Sequence, residues 1–204
     1  MLEGRSLAAM RGNLRLFSGI HFSLQPGDAL VVTGANGSGK TTLLRIVAGL
    51  GHAAEGELAW RGDVLTPFHP LLRENSAFIG HAPALKDELT AEENLALLAT
   101  LHHAAVPASA IRDALTAVGL LSRRNLPARV LSQGQRRRIG LARLLLVPRR
   151  LWVLDEPTTA LDVAGIAMLE AWIGEHLAAG GILVTATHQE LKLPAHALRT
   201  LTIQ

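Results

Sequence analysis

The sequence contains no cysteine and no tyrosine, and aromatic residues make up only 3% of its 204 positions. Without cysteine, the chain has no disulfide framework, no cysteine-ligated zinc site and no cysteine nucleophile. The scarcity of aromatic side chains argues against a surface on which nucleic acid bases stack. A hydrophobic fraction of 49% excludes a disordered chain, so we expect a folded domain with a sizeable core.

Long hydrophobic runs are also missing. The longest uncharged stretch, Leu95 to Ile111, contains His102, His103 and Pro107 and falls short of the ~20 apolar residues that a membrane helix needs. The formal net charge of +3 is small and gives only weak support to a nucleic-acid partner. We therefore expect a soluble protein that works at a membrane only through a partner.

Short apolar runs alternate with helical patterns, which favours an α/β fold with a largely parallel sheet. Strands are predicted at 29–33, 57–60, 77–80, 151–154, 182–187 and 198–203, and a helix is predicted at 41–50. From 90 to 147 the pattern is helical, and Thr90 to Glu93 has the spacing of a capping box. The sequence predicts a single domain over 1–204 with a helical subdomain inserted at about 82–131.

A glycine-rich loop stands between the first of these strands and the predicted helix. Its residues are Gly34, Ala35, Asn36, Gly37, Ser38, Gly39, Lys40 and Thr41, followed by Thr42. The glycines let successive backbone amides surround an anion, and the helix adds its positive N-terminal end. This pattern predicts ATP binding, with Lys40 on the β- and γ-phosphates and Thr41 on Mg²⁺. A glycine-rich turn that happens to contain a lysine is the alternative.

Two carboxylates follow the apolar strand at 151–154. Asp155 fits the acid that lies on the magnesium side of a phosphate-loop site, and Glu156 fits the group that orients and deprotonates the attacking water. Taken alone, the pair is equally consistent with a catalytic site and with a solvated strand end. The glycine-rich loop favours the catalytic interpretation.

A second helix start with anion-binding character contains Ser132, Gln133, Gly134 and Gln135. Two separate phosphate-binding helix starts predict a two-fold homodimer, in which ATP lies between the loop at 34–41 of one copy and residues 132–134 of the other. The arginines at 136–138 are interpreted as a solvated helix face rather than a nucleic-acid contact.

Together, in this order, these motifs resemble the ABC-type ATPases, the nucleotide-binding domains of ABC transporters, over essentially the whole chain. The resemblance implies a P-loop NTPase core with an inserted helical subdomain. It places residues 131–135 at the family's signature sequence, with Gln133 in place of the first glycine, and it adds Asp162 to the nucleotide site. It also assigns to His188 a contact with the γ-phosphate, although a lone histidine at a strand end is ordinarily structural. Lys40, Glu156 and His188 are the catalytic residues that it implies.

Two positions depart from the family pattern. His81 stands where the family usually has a glutamine, and its neutral imidazole can still bind a metal or accept from a metal-bound water, so it joins Thr41 and Asp155 as a predicted Mg²⁺ ligand. Near Met10 and Arg11 there is no aromatic residue to stack on adenine. We expect weaker nucleotide binding there, or an arginine that stacks instead.

Shorter stretches at 17–19, 80–81, 85–86, 88–95 and 151–152 most resemble the ATP-binding subunits of heme exporters used in cytochrome c maturation. That resemblance implies an integral membrane partner, CcmB, with CcmC and CcmD, and a peripheral position on the cytoplasmic face of the bacterial inner membrane. Heme is not expected to bind this chain, and the adjacent His102 and His103 point apart on a helix. The alternatives are the ATPase of a lipid or peptide exporter and a soluble ABC protein acting on ribosomes or DNA.

Overall fold

The computed structural model describes residues 1–101 and 106–203, and the chain divides into two compact units. The first unit contains Met1–Phe78, Arg149–Glu156 and the residues from Glu170 onward, and the second contains Ile79–Pro148 and Pro157–Leu169. The second unit includes the region predicted as a helical subdomain and also the helix that follows Ser132. His102 and His103 lie outside the described residues.

A five-stranded sheet forms the centre of the first unit. Its strands are β3 (Ala29–Gly34), β6 (Ser76–Ile79), β7 (Leu151–Asp155), β8 (Ile182–Ala186) and β9 (Leu198–Ile203), in the order β6-β7-β8-β3-β9. β3 pairs in parallel with β8 and β9, and β7 pairs in parallel with β8. Every residue of β7 and β8 is buried, as expected of strands covered on both faces. The predicted parallel sheet is confirmed.

A second, antiparallel sheet was not predicted from the sequence. It contains β1 (Leu2–Arg11), β2 (Leu14–Leu24), β4 (Glu55–Trp60) and β5 (Asp63–Leu65), in the order β2-β1-β4-β5. Irregular register between β1 and β2 breaks the alternation of apolar and polar residues, and Ser6 within β1 has a left-handed backbone. The regular period that identifies a half-buried strand is therefore absent from the N-terminal sequence.

The helices are α1 (Lys40–Val47), α2 (Pro70–Asn75), α3 (Ala91–Leu101), α4 (Ala108–Ala117), α5 (Gln133–Leu146) and α6 (Val163–Ala178). Short 3₁₀ helices occupy Leu121–Arg123 and Ala128–Val130. Within the described part of 90–147, no strand longer than a single bridge occurs, as predicted. No helix in the two described segments is both long and apolar enough to cross a membrane.

The predicted capping box at the start of α3 is confirmed. The Thr90 amide donates to the Glu93 carboxylate at 2.8 Å, and the Glu93 amide donates to the Thr90 hydroxyl at 3.2 Å. The bonds from Thr90 lower the pKa of Glu93. Leu95, Leu115 and Ile139 on α3, α4 and α5 are completely buried, which places the core of the second unit among these three helices.

Candidate functional site

The glycine-rich loop connects β3 to α1 in the first unit, as predicted. Gly34 and Gly39 have φ angles of 144° and 103°, a region that favours glycine. A Cβ atom at Gly34 would overlap the Ile203 carbonyl, and one at Gly39 would lie 2.9 Å from the Phe17 ring. The close approach of β9 and of the Phe17 ring therefore requires glycine at both positions. The resulting path allows the backbone amides of the loop to converge on one anion.

Lys40, the first residue of α1, folds back over this loop. It is only 9% exposed, and its ammonium donates to the carbonyls of Gly34 and Ala35, each at 2.9 Å. The Ser38 hydroxyl is buried and has no hydrogen-bond partner among the described residues, and no side chain caps the start of α1. A buried, unsatisfied hydroxyl and an uncapped helix start beside an ammonium fit the oxygens of a bound phosphate.

Thr41 and Asp155 form the second part of the site. Thr41 lies in the first turn of α1, Asp155 ends β7, and the Thr41 hydroxyl donates to the Asp155 carboxylate at 2.8 Å. Asp155 is 3% exposed, so its carboxylate is held within the protein. A hydroxyl and a carboxylate oxygen side by side are the ligand types that Mg²⁺ prefers, and these residues fit that ion.

Glu156 and His188 lie together at the ends of the neighbouring strands β7 and β8. His188 Nε2 lies 3.5 Å from Glu156 Oε1 and 3.1 Å from the amide oxygen of Asn36 in the loop. Glu156 has a left-handed backbone with φ of 48°, and its amide donates to the Ala186 carbonyl at 2.8 Å. A left-handed non-glycine residue costs free energy, and this one turns the chain at the point where the side chain meets His188. The contact with Asn36 was not anticipated from the sequence.

The second predicted anion site belongs to the second unit. The Ser132 hydroxyl accepts from the Gln135 amide at 3.2 Å, and the Ser132 amide donates to the Gln135 side chain at 3.0 Å. Ser132 and Gln133 are exposed. A Cβ atom at Gly134 would lie 2.6 Å from the Ala160 carbonyl oxygen, so glycine is required where α5 begins. Ser132 is the N-cap of α5, as predicted.

The interpretation of Arg136 to Arg138 as a solvated face is wrong. Arg137 is 3% exposed and donates to the carbonyls of Gly80 at 2.7 Å, His81 at 3.1 Å and Pro157 at 3.3 Å. Arg136 pairs with Asp87 at 2.7 Å, and Arg138 pairs with Asp162. Segments distant in sequence cover this side of α5 and supply the acceptors, which a run of three arginines does not reveal.

Asp162 begins α6. Its carboxylate accepts from the Arg138 guanidinium and from the Gly165 amide, and these bonds lower the pKa of Asp162. His81 is exposed and lines, with Gln133, Arg137 and Thr159, a cavity of about 400 Å³ in the second unit. The described residues hold no cluster of three or more histidine, aspartate or glutamate side chains that would bind a metal unaided. The roles of His81 and Asp162 toward a nucleotide stay predictions.

Met10 and Arg11 are exposed at the end of β1. The stacking of an arginine on adenine in this region stays a prediction.

Comparison with known proteins identifies the chain's relatives. The family model described as ABC transporter matches residues 17–159. The chain is 46% identical over 191 residues to the cytochrome c biogenesis ATP-binding export protein CcmA of Nitrosomonas europaea, covering 94% of this chain and 90% of that protein. It is 41% identical over 203 residues to the CcmA of Vibrio vulnificus, covering 100% and 99%. Among solved structures, an ABC transporter ATP-binding protein from Pyrococcus furiosus superposes with a TM-score of 0.84 at 27% identity, covering 99% of this chain and 96% of that one.

Proposed function

Because this chain belongs to the ABC transporter family and is an ATP-hydrolysing protein, we propose that it is the ATPase subunit of a membrane complex that exports heme for cytochrome c biogenesis. The grouping of Lys40, Thr41, Asp155, Glu156 and His188 in one unit supports the catalytic part of this proposal. The relatives that share nearly the whole length of the chain support the pathway.

The loop from Gly34 to Thr42 binds the phosphates of ATP. Its backbone amides and the Ser38 hydroxyl donate to phosphate oxygens, and the Lys40 ammonium exchanges the carbonyls of Gly34 and Ala35 for the β- and γ-phosphates. A carbonyl is neutral and a phosphate oxygen is anionic, so the exchange of partners by the Lys40 ammonium favours binding of the nucleotide.

Thr41 and Asp155 would hold Mg²⁺. When bound, the ion neutralises charge on the phosphates. The hydrogen bond between Thr41 and Asp155 keeps both oxygens in place beforehand, which lowers the cost of ordering them.

Hydrolysis proceeds by in-line attack of a water on the γ-phosphorus. The Glu156 carboxylate accepts a proton from that water as the new oxygen–phosphorus bond forms and the bond to ADP breaks. His188 donates from Nε2 to an oxygen of the transferred phosphoryl group. The contribution of the protein is positioning and stabilisation of charge, supplied mainly by the loop, Lys40 and His188.

Two copies complete the reaction site. The ATP bound by the loop of one copy is covered by Ser132 to Gln135 of the other copy. Asp162 also belongs to this nucleotide site. Exposed polar groups of Ser132 and Gln133 at a helix start suit an anion supplied by a second molecule. Closing and opening of this homodimer is the mechanical output of hydrolysis.

The complex acts at the cytoplasmic face of the bacterial inner membrane, with this chain bound peripherally to the integral membrane partner CcmB and to CcmC and CcmD. Heme is handled by those membrane partners rather than by this chain, and no nucleic acid takes part. The chain therefore supplies the energy of ATP hydrolysis to the complex and does not itself bind heme.

Replacement of Glu156 tests the catalytic assignment. Glu156→Gln keeps a hydrogen-bonding side chain of the same size and removes the base, so we expect ATP binding and ATP-dependent dimerisation with hydrolysis reduced more than 100-fold, or roughly 3 kcal/mol of barrier. Glu175→Gln, on an exposed position of α6, is the matched control and should retain full activity. Normal turnover by Glu156→Gln contradicts the role given to this carboxylate.

Heme staining of c-type cytochromes tests the pathway. Cells that lack the gene should lose covalent cytochrome c, and only the wild-type chain, not Glu156→Gln, should restore it. If cytochromes c form without the gene, the chain drives a different exporter, and copurification of its membrane partner identifies which one.

A further inference from the structure

The orientation of the His188 ring is not determined by packing. Its side chain is 59% exposed on the turn that follows β8, where the Gln189 amide donates to the Thr187 hydroxyl at 3.1 Å. This turn directs the side chain away from the strand but leaves rotation about the side-chain bonds open. A ring that must donate from one particular nitrogen needs a further contact to hold it.

Asn36 supplies such a contact. Its amide oxygen lies 3.1 Å from His188 Nε2, although 152 positions separate the two residues in the sequence. Glu156 Oε1 lies 3.5 Å from the same nitrogen. Two acceptor oxygens, from the Asn36 amide and the Glu156 carboxylate, therefore face this nitrogen, an arrangement that favours the tautomer with its hydrogen on Nε2.

We propose that Asn36 is a positioning residue that holds the imidazole of His188 with its Nε2–H directed at the phosphate-binding loop, where this hydrogen is shared between the Asn36 amide oxygen and an oxygen of the transferred phosphoryl group. This proposal rests on the role assigned above to His188 as the donor to the transferred phosphoryl group. Asn36 belongs to the loop that binds the phosphates. The residue that orients the His188 ring is therefore part of the same segment that positions the phosphates for that ring.

The backbone at Asn36 permits a clean test. Its φ angle lies outside the left-handed region, so other residues are accommodated there without strain on the loop. Asn36→Leu keeps the size of the side chain and removes the acceptor. Asn36→Asp keeps an acceptor in the same place and adds a negative charge beside the phosphates.

Steady-state kinetics of the full-length chain separate positioning from binding. A net hydrogen bond of about 0.5–1.5 kcal/mol corresponds to a two- to tenfold change, so Asn36→Leu should lower kcat by about that factor and leave KM for ATP within about twofold. Asn36→Asp should recover kcat while raising KM, since the added charge repels ATP. Asn75→Leu, at the end of α2, is the matched control and should behave as wild type.

A double-mutant cycle decides whether Asn36 acts through His188. In a His188→Ala background, Asn36→Leu should change kcat by less than about twofold, because the ring that it positions is gone. Any of three outcomes would overturn the proposal. They are an equal effect of Asn36→Leu on kcat in both backgrounds, a rise in KM with kcat unchanged, and a loss of kcat that Asn36→Asp does not recover. If turnover of His188→Ala is too slow to measure, the Asn36→Asp result decides; if His188→Ala is fully active, the role of His188 itself fails, which is a separate outcome.

Discussion

Arg137 should be the most costly of the three consecutive arginines to replace. The side chain is 3% exposed, and its guanidinium donates to three backbone carbonyls, those of Gly80, His81 and Pro157. Arg137→Met keeps the length of the aliphatic stem and removes every donor. The change leaves those three carbonyls without the bonds that the structure provides.

The magnitude follows from opposing contributions. A hydrogen bond from a charged donor contributes about 1.5–3 kcal/mol, so three such bonds, which are not additive, give a gross loss of roughly 4–6 kcal/mol. The substitution also removes two unfavourable contributions to stability. A buried guanidinium carries a desolvation cost, and the charge of Arg137 adds to the burial of Arg143 in lowering the pKa of Arg143 to about 10. We expect a net loss of about 2–4 kcal/mol, a large part of the ~5–15 kcal/mol that stabilises a domain.

Urea unfolding followed by circular dichroism measures this loss, with Arg136→Met as the matched control. Arg136 pairs with Asp87 at 2.7 Å, but the two side chains are 26% and 54% exposed, and an ion pair of this kind contributes about 0–1 kcal/mol. The midpoint of Arg137→Met should fall well below that of Arg136→Met. If the two variants unfold at the same urea concentration, the bonds of Arg137 do not stabilise the fold as we have argued.

Four further changes have defined outcomes. Burial lowers the pKa of His176 below its usual value of about 6.5, so the unfolded chain binds the proton more readily than the folded chain does. The stability contributed by the neutral imidazole is fully present above about pH 6.5 and falls as the pH drops. His176→Phe keeps the stacking on Trp152 and should reduce the change in the urea midpoint between pH 7 and pH 5. Gly174→Ala should raise the free energy of unfolding by about 0.5–1 kcal/mol, because α6 has open space for a Cβ there, and a lower melting temperature would contradict this. Gly134→Ala should instead lower it by about 1–3 kcal/mol, since the new methyl meets the Ala160 carbonyl, and an unchanged melting temperature would show that the carbonyl yields freely. Thr41→Val should raise the Mg²⁺ concentration for half-maximal ATPase activity about tenfold or more in a metal titration, and an unchanged value would remove Thr41 from the metal site.

The sequence was most informative where a local pattern is sufficient. The strands at 29–33, 151–154, 182–187 and 198–203 were predicted to within a few residues, because continuous apolar runs bounded by glycine or charge are typical of buried parallel strands. The helix start at Thr90 followed from a capping pattern of four residues. β1 and β2 were missed because their irregular pairing hides the period of two.

The residues of the candidate site were named from the sequence, but their mutual contacts were not. Asn36 was assigned to nucleotide binding through its loop, and its contact with His188 across 152 positions has no local signal. Arg137 was placed on a solvated face because its acceptors lie in segments 56 and 20 positions away. Such contacts depend on which segments cover a helix, and that depends on the whole chain.

By itself, then, the sequence determined the glycine-rich loop, the helix starts and the apolar strands, since each depends on backbone preferences within a few neighbouring residues. The tertiary structure decided how the site is assembled. Parallel pairing of β8 with β3 and β7 aligns Ala186 with Val32 and with Asp155, so the loop, the Asp155–Glu156 pair and His188 all follow the same edge of the sheet. Thr41 and Asp155 meet across 114 positions because of that register, which no local pattern specifies.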